Sequence, residues 1–336
     1  MESKRVVALM KDKLDAINNN DLDAYMKTVT LNDVLYINEQ KRWFLEMTND
    51  EMKDVSFEVE EVVKREDEIV ATIHQTHHYG VDFDITYPLV LRVEDGLLRD
   101  CGYDFNVIDE GEFIIKYMSN DEKAWMFHDM IRQAFKNVDS IFGRIPDFTV
   151  EIKIFSDKEM LRQRTIPTIP WQFSAWGEPN ESLKFFTGLE NVNNYAGLIQ
   201  HELVHMVTLD VCAGKAPQWM AEGIAMKYGN GSYEHEDDLV LSKMDQYDIG
   251  VPISILKEFN LYTASDIDLI GEYYATCYMY FYYLDKYYGI DKIMEVFREI
   301  GLSSDTEKDR IAEMAIQKVL GISTAKLSEK YLRWIY

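Results

Sequence analysis

Gln200-His201-Glu202-Leu203-Val204-His205-Met206 holds the pattern H-E-x-x-H. On a helix of 3.6 residues per turn, positions i and i+4 lie one above the other on the same face. His201 and His205 can therefore aim two imidazole nitrogens at one point, which suits zinc at about 2.0–2.1 Å. Glu202 lies about 100° round the helix from His201. There it flanks that point without ligating it and can take a proton from an attacking water. The surroundings favour a helix, because Tyr195 to Leu209 contains no Pro and only one Gly, Gly197. Asn193 and Asn194 precede it and are good N-cap residues. Leu198, Ile199, Leu203, Val204, Met206 and Val207 should bury it on most sides. A buried helix with two His and a Glu needs a compensating partner, because isolated buried charge is costly. A metal is one such partner. The plain alternative is a chance pattern on an ordinary helix, since only three residues in five are fixed.

Pro217-Gln218-Trp219-Met220-Ala221-Glu222-Gly223-Ile224-Ala225 tips that choice. A catalytic zinc site takes three protein ligands and keeps one position open. Glu222 falls on a second expected helix, with Pro217 at its first position. Trp219, Met220 and Ile224 face a core, and Gly223 permits a close approach by another backbone or the metal. The connection from Leu209 to Ala216 is short enough to fold the second helix back on the first. Two His on one helix and a Glu on the next make a His₂Glu site.

H-E-L-x-H followed by P-x-W-x-x-E-G-x-A resembles the gluzincin metallopeptidases, most closely their peptidase MA-like group. The stretch from Tyr274 to Leu284, with Tyr288-Gly289 after it, is similar to a later helix of that group. The resemblance covers about residues 112–336. It implies a zinc-dependent hydrolase with His201, His205 and Glu222 as ligands and Glu202 as base. It also places Tyr274 where a phenol can stabilise an oxyanion, although a packed core tyrosine reads equally well there. No G-x-M-E-N-like motif lies upstream, so the resemblance carries no aminopeptidase specificity.

The N-terminal third reads differently. Residues 3–29 form one or two helices, broken at Asn18-Asn19-Asn20-Asp21, and a short segment around Tyr36 and Trp43 follows. Val55 to Lys64, Glu68 to Tyr79 and Asp82 to Val93 alternate like strands, Gly96 marks a hairpin turn, and Leu97 to Phe105 is a further strand. Helices followed by an antiparallel meander indicate an α+β fold. The order of elements resembles the NTF2-like group, in which a curved sheet wraps a helix as a cone. Asp109-Glu110-Gly111 is the expected linker. The expected domains are thus 1–110, an NTF2-like α+β domain, and 111–336, a zincin-like metallopeptidase domain. On the strand around His74-Gln75-Thr76-His77-His78, His74 and His78 share a face and His77 points to the other. No adjacent ligand completes a metal set, which leaves a polar strand or the lining of a pocket in the cone.

Beyond residue 112 the pattern gives a strand to Tyr117, a helix from Asp121 to Phe142 and a strand from Phe148 to Phe155. Residues 156–182 are loop-rich. Leu183 to Thr187 reads as a short edge strand, whose free backbone groups could pair with an extended substrate. Glu234-His235-Glu236-Asp237-Asp238 is a solvated charge run. A short helix near Ser254 to Phe259, the aromatic helix Tyr273 to Tyr288 and two or three C-terminal helices complete the chain.

The chain has 336 residues with 59 acidic against 35 basic, a net charge of −24. Nucleic acid binding needs clusters of Lys and Arg, and none is present. An acidic surface also disfavours anionic membranes. No apolar run of ~20 residues exists to span a bilayer. The N-terminus lacks the apolar core of a signal peptide. Cys101, Cys212 and Cys277 are scattered, without a disulfide framework or Cys-x-x-Cys pair, which fits a reducing, cytoplasmic setting. The expected partner is a peptide or protein substrate, with no signature of oligomeric state.

Three functional readings stand at this point. The first is a zinc peptidase. The second is a non-catalytic metal-containing binding or structural protein with a ligand-binding N-terminal cone. The third is a metal hydrolase acting on a small amide or ester. A structural zinc is normally closed by four protein ligands, and only three are found here, which favours an enzyme.

Overall fold

A computed structural model describes residues 2–118, 121–146, 148–188, 193–229 and 246–336. The chain opens with α1 (Glu2–Asn18), α2 (Leu22–Met26), α3 (Val34–Met47), β1 (Lys53–Arg65), β2 (Glu68–Tyr79), β3 (Val81–Glu94) and β4 (Leu97–Tyr103). It continues with β5 (Asn106–Asp109), β6 (Phe113–Tyr117), α4 (Asp121–Phe142), β7 (Val150–Phe155), α5 (Lys158–Gln163), β8 (Ala175–Trp176) and β9 (Leu183–Phe186). Helices α6 (Asn193–Val211), α7 (Gln218–Gly229), α8 (Ile253–Leu256), α9 (Ile267–Tyr288), α10 (Ile290–Leu302), α11 (Lys308–Leu320) and α12 (Thr324–Ile335) follow. The fold is α+β, with one antiparallel and one mixed sheet. Its contacts divide it into two units: Met1–Asn120 with Val150–Gly188, and Asp121–Thr149 with Leu189–Tyr336.

The first unit holds both sheets. Strands β1-β2-β3-β4 form an antiparallel meander in sequence order. The turn between β3 and β4 is tight because Asp95 and Gly96 both take positive φ, 51° and 80°, the geometry a two-residue hairpin needs. Register shifts interrupt β1 after Lys53 and after Val59, and such bulges bend and twist a sheet. One face of the meander carries Ile69, Ala71, Ile73, Ile85, Tyr87 and Leu89. Val6, Leu9 and Met10 of α1 pack in the same cluster, as do Leu161, Ile166, Ile169 and Phe173 from the connection between β7 and β9. Within that connection, the Arg164 guanidinium lies over the rings of Tyr87 (4.4 Å), Tyr103 (4.9 Å) and Trp43 (5.0 Å). It also donates to Gln75 Oε1 at 3.0 Å. The sheet face read as a possible ligand pocket is therefore packed with the chain's own side chains.

The second sheet has the order β5-β6-β7-β9-β8. Strands β6, β7 and β9 run parallel, and β5 and β8 are antiparallel to their neighbours. This corrects the reading of Leu183–Thr187 as an edge: β9 is paired on both sides, and the edge is the two-residue β8. Residues 156–182 thus contain α5 and β8 as well as loop. Asp109-Glu110-Gly111, expected as a linker, forms the turn of the β5–β6 hairpin, with Glu110 N–H donating to Phe113 O at 3.0 Å. The parallel register sets Lys116, Lys153 and Lys184 side by side. Adjacent like charges are unfavourable, and carboxylates interleave to offset them. Lys116 meets Glu151 at 2.6 Å, while Lys153 and Lys184 both meet Glu39 of α3, at 2.6 and 3.1 Å.

The second unit is helical among its described residues. Its charge run 234–238, with His235, lies outside the described residues. Near the C-terminus, Tyr280 of α9 stacks on Tyr331 of α12 with ring centroids 3.8 Å apart. The Tyr280 hydroxyl sits 3.1 Å from Ser328 Oγ, and Tyr331 donates to Ile249 O at 2.7 Å. No helix among the described residues is long and apolar enough to cross a membrane.

Candidate metal centre

Helix α6 carries both histidines, and its sequence explains its burial. Ile199, Leu203, Val204 and Val207 are at most 1% exposed. The side chains of Asn193 and Asn194, expected to cap it, lie outside the described residues. The helix ends at Val211 because Ala213 and Gly214 take left-handed conformations, φ 51° and 67°. Gly214 N–H then bonds back to Leu209 O at 2.8 Å, a common helix ending. Pro217 stands one residue before α7, where its carbonyl accepts from Met220 and Ala221 N–H. The chain has reversed, and α7 runs beside α6.

Two glycines set how near α7 lies to its neighbours. A Cβ on Gly229 would meet the His201 Cα at 2.6 Å, so the end of α7 rests on the backbone of the first histidine. A Cβ on Gly223 would meet the Phe281 ring at 2.3 Å and the Cys277 carbonyl at 2.8 Å, both on α9. Gly223 therefore serves approach by a backbone, one of the two uses its position suggested.

Between these contacts the expected ligands converge. His201 Nε2 and His205 Nε2 are 3.0 Å apart, and Glu222 Oε2 is 3.4 Å from each. Among the described residues this is the one group of His, Cys, Asp and Glu whose donor atoms lie close enough to share a metal ion. The triangle bears on whether zinc fits. A tetrahedron with arms of about 2.0–2.1 Å has edges of about 3.3–3.4 Å. Two imidazole nitrogens and one carboxylate oxygen are a donor set that zinc accepts, so the residues present fit the ion. All three side chains are 10–14% exposed, so none of them is fully sealed from solvent. Burial disfavours charge on Glu222, but the electrostatic influence of the adjacent imidazoles and the hydrogen bonds from both histidines outweigh it. Its carboxyl is held well below the usual carboxylate range and is ionised at neutral pH.

Glu202 follows His201 on α6 and is 6% exposed. Tyr274, on α9, is half-buried. Burial raises its phenol well above the usual value, and the charges of Glu222 and Glu202 raise it further. Tyr274 is therefore a protonated donor within the field of both carboxylates. Tyr273, its neighbour, is 3% exposed and stacks on Phe259, which is a core role.

The second histidine group does not come together. His74 pairs with Asp84 at 2.8 Å and His78 with Asp82 at 2.7 Å, on the exposed face of β2. His77 points to the buried face and stacks on Phe83 at 5.1 Å. Gln200 and Gly229 also belong to the centre's surroundings, though neither carries ligand chemistry in the sequence. Gln200 directly precedes the first histidine, and Gly229 follows Glu222 by two helical turns, a spacing at which a glycine can face the same partner. No family model matches the chain, and no curated protein does.

Proposed function

We propose that the protein is a zinc-dependent hydrolase that cleaves peptide bonds. The reading rests on one observation: two Nε2 atoms from H-E-L-V-H and the Glu222 carboxylate converge at 3.0–3.4 Å. His201, His205 and Glu222 would hold the ion, which when bound would supply Lewis acidity toward the scissile carbonyl and lower a water's pKa from 15.7 to about 7. Glu202 takes the proton of the attacking water and returns it to the leaving amine. Tyr274, kept protonated by its surroundings, donates a hydrogen bond to the oxyanion as it develops. The elements that carry these residues support a gluzincin-like arrangement for the helical part. The α1-to-β4 order supports an NTF2-like reading of the N-terminal meander. Cys101, Cys212 and Cys277 are all free thiols, which supports a reducing, cytoplasmic setting. The substrate is a peptide or protein.

The test is Glu202→Gln, assayed on a broad peptide library with and without chelator. The variant should retain zinc and lose hydrolysis by about 10²-fold or more. Full activity in Glu202→Gln would remove Glu202 from the reaction. A wild type that loads zinc and cleaves nothing would favour the binding-protein reading.

A further inference from the structure

An amide relay crosses three helices beside the metal centre. Gln133 Nε2 donates to Asn137 Oδ1 at 2.9 Å, both on α4. Asn137 Nδ2 donates to Gln200 Oε1 of α6 at 2.8 Å. Gln200 Nε2 in turn donates to Tyr228 O of α7 at 2.5 Å. Tyr228 lies on the same α7 that carries Glu222. The donor must face that carbonyl, so the Gln200 oxygen must face Asn137, and the orientation of every amide in the relay is determined. Gln200 is 2% exposed. A buried amide left without its partners would be unfavourable.

The relay ends at the place where α7 touches the first ligand. Gly229 follows Tyr228 and lies against the His201 backbone, and Gln200 precedes His201. One hydrogen bond and one close contact thus join α6 and α7 within two residues of each other. Glu222 extends from the same α7 toward the nitrogens of His201 and His205. The far side of α7 is held at Gly223 by α9. With both sides held, the distance from carboxylate to imidazoles follows from how closely the end of α7 is drawn onto α6.

We infer that Gln200 is a positioning residue of the centre, setting the reach of Glu222 by tying the C-terminal turn of α7 to α6. The inference rests on the His₂Glu reading above. Groups that orient ligands from behind typically change metal affinity by about 10–100-fold when removed. Asn137 acts one step further back by fixing which way the Gln200 amide faces.

The experiment compares wild type, Gln200→Met and Gln200→Glu as full chains. Zinc affinity is read by competition with a chromophoric chelator, and hydrogen exchange of residues 225–229 and apo melting are followed in parallel. Gln200→Met keeps the length and removes both bonds. Gln200→Glu keeps the acceptor for Asn137 and loses the donor to Tyr228. Both should lose zinc affinity by about 10–100-fold, with faster exchange in the last turn of α7. Thr208→Val is the control, because Thr208 is buried on α6 and its hydroxyl donates to the Val204 and His205 carbonyls of the same helix, not to α7. It should lower melting temperature and leave zinc affinity unchanged. Should a Gln200 variant fold too poorly to assay, Gly229→Ala displaces the same end of α7 and should weaken zinc similarly. Faster exchange with unchanged zinc affinity would reduce Gln200 to a helix cap and overturn the inference. Absence of zinc uptake by the wild type would strike the His₂Glu reading itself, and this one with it.

Discussion

Glu39→Gln should destabilise the first unit by about 3 kcal/mol. Glu39 is 7% exposed, and its carboxylate takes ion pairs from Lys153 and Lys184 and hydrogen bonds from Ser182 N–H and Oγ–H. Gln keeps the size and one acceptor but removes the charge. Breaking one side of a buried ion pair costs about 3–5 kcal/mol. Each lysine retains a second carboxylate: Glu151 at 3.3 Å from Lys153, and Glu181 at 3.2 Å from Lys184. That places the loss at the low end of the range. For a unit of this size each kcal/mol moves the midpoint by about 2–4 °C, so the melt should fall by about 6–12 °C. The effect depends on pH in a set direction. Burial raises the Glu39 carboxyl, and Lys153 and Lys184 overcome it and hold it well below the usual range. Its contribution is full above the unfolded carboxyl value of about 4.3 and declines as pH falls below that. The gap between wild type and variant should therefore narrow in acid. Urea melts of both proteins at pH 7 and pH 3.5 provide the measurement. A Glu39→Gln protein within about 0.5 kcal/mol of wild type at pH 7 would show that the lysine row needs no third counter-charge.

Metal analysis should find about one zinc per chain, lost in His201→Ala and in His205→Ala; metal content unchanged in both would remove the assignment. Tyr274→Phe should lower kcat by about 10²–10³-fold with KM and zinc content nearly unchanged, because a donor used only in the transition state does not hold the ground state. Normal steady-state kinetics in that variant would return Tyr274 to the core. Burial pushes the His77 imidazole down to about 4, against about 6.5 when unfolded. The unfolded chain then binds the extra proton first, so His77 withdraws stability as pH falls from about 6.5 to about 4. His77→Gln should lack that part of the slope in urea midpoints, and an identical slope would show that His77 does not titrate in the interior.

Much of this arrangement was legible because ordinary periodicities carry it. The strands of the meander alternate over much of their length, as from Ala71 to His77 of β2, and the H-E-L-V-H and P-Q-W-M-A-E-G-I-A stretches combine helical spacing with ligand chemistry. Helix α3 was harder to see. Its buried positions, Tyr36, Glu39, Gln40, Trp43, Phe44 and Met47, keep helical spacing, but two of them are polar. Glu39 is satisfied by lysines more than a hundred residues away, and Gln40 by the Tyr25 hydroxyl at 2.7 Å. An apolar stripe is invisible when its members are polar groups with distant partners. Strand β8 escaped for another reason, since two residues cannot display an alternation. The site was legible in its ligands and illegible in its supports. Gln200 looks like any polar helix residue until the carbonyl of Tyr228 is placed against it.

The long connection between β7 and β9 has a consequence for biosynthesis. The apolar face of the meander is completed by Leu161, Ile166, Ile169 and Phe173. Those residues are made after β4, the last of them about 70 positions beyond Tyr103. At about 5–20 residues per second, the nascent meander waits on the order of ten seconds with the part of that face not covered by α1 exposed. During that interval Tyr87 and Tyr103 lack the Arg164 guanidinium that lies over both rings. The order of synthesis therefore makes residues 161–173 the closing step of the N-terminal core, and a chain interrupted before them leaves that core unfinished.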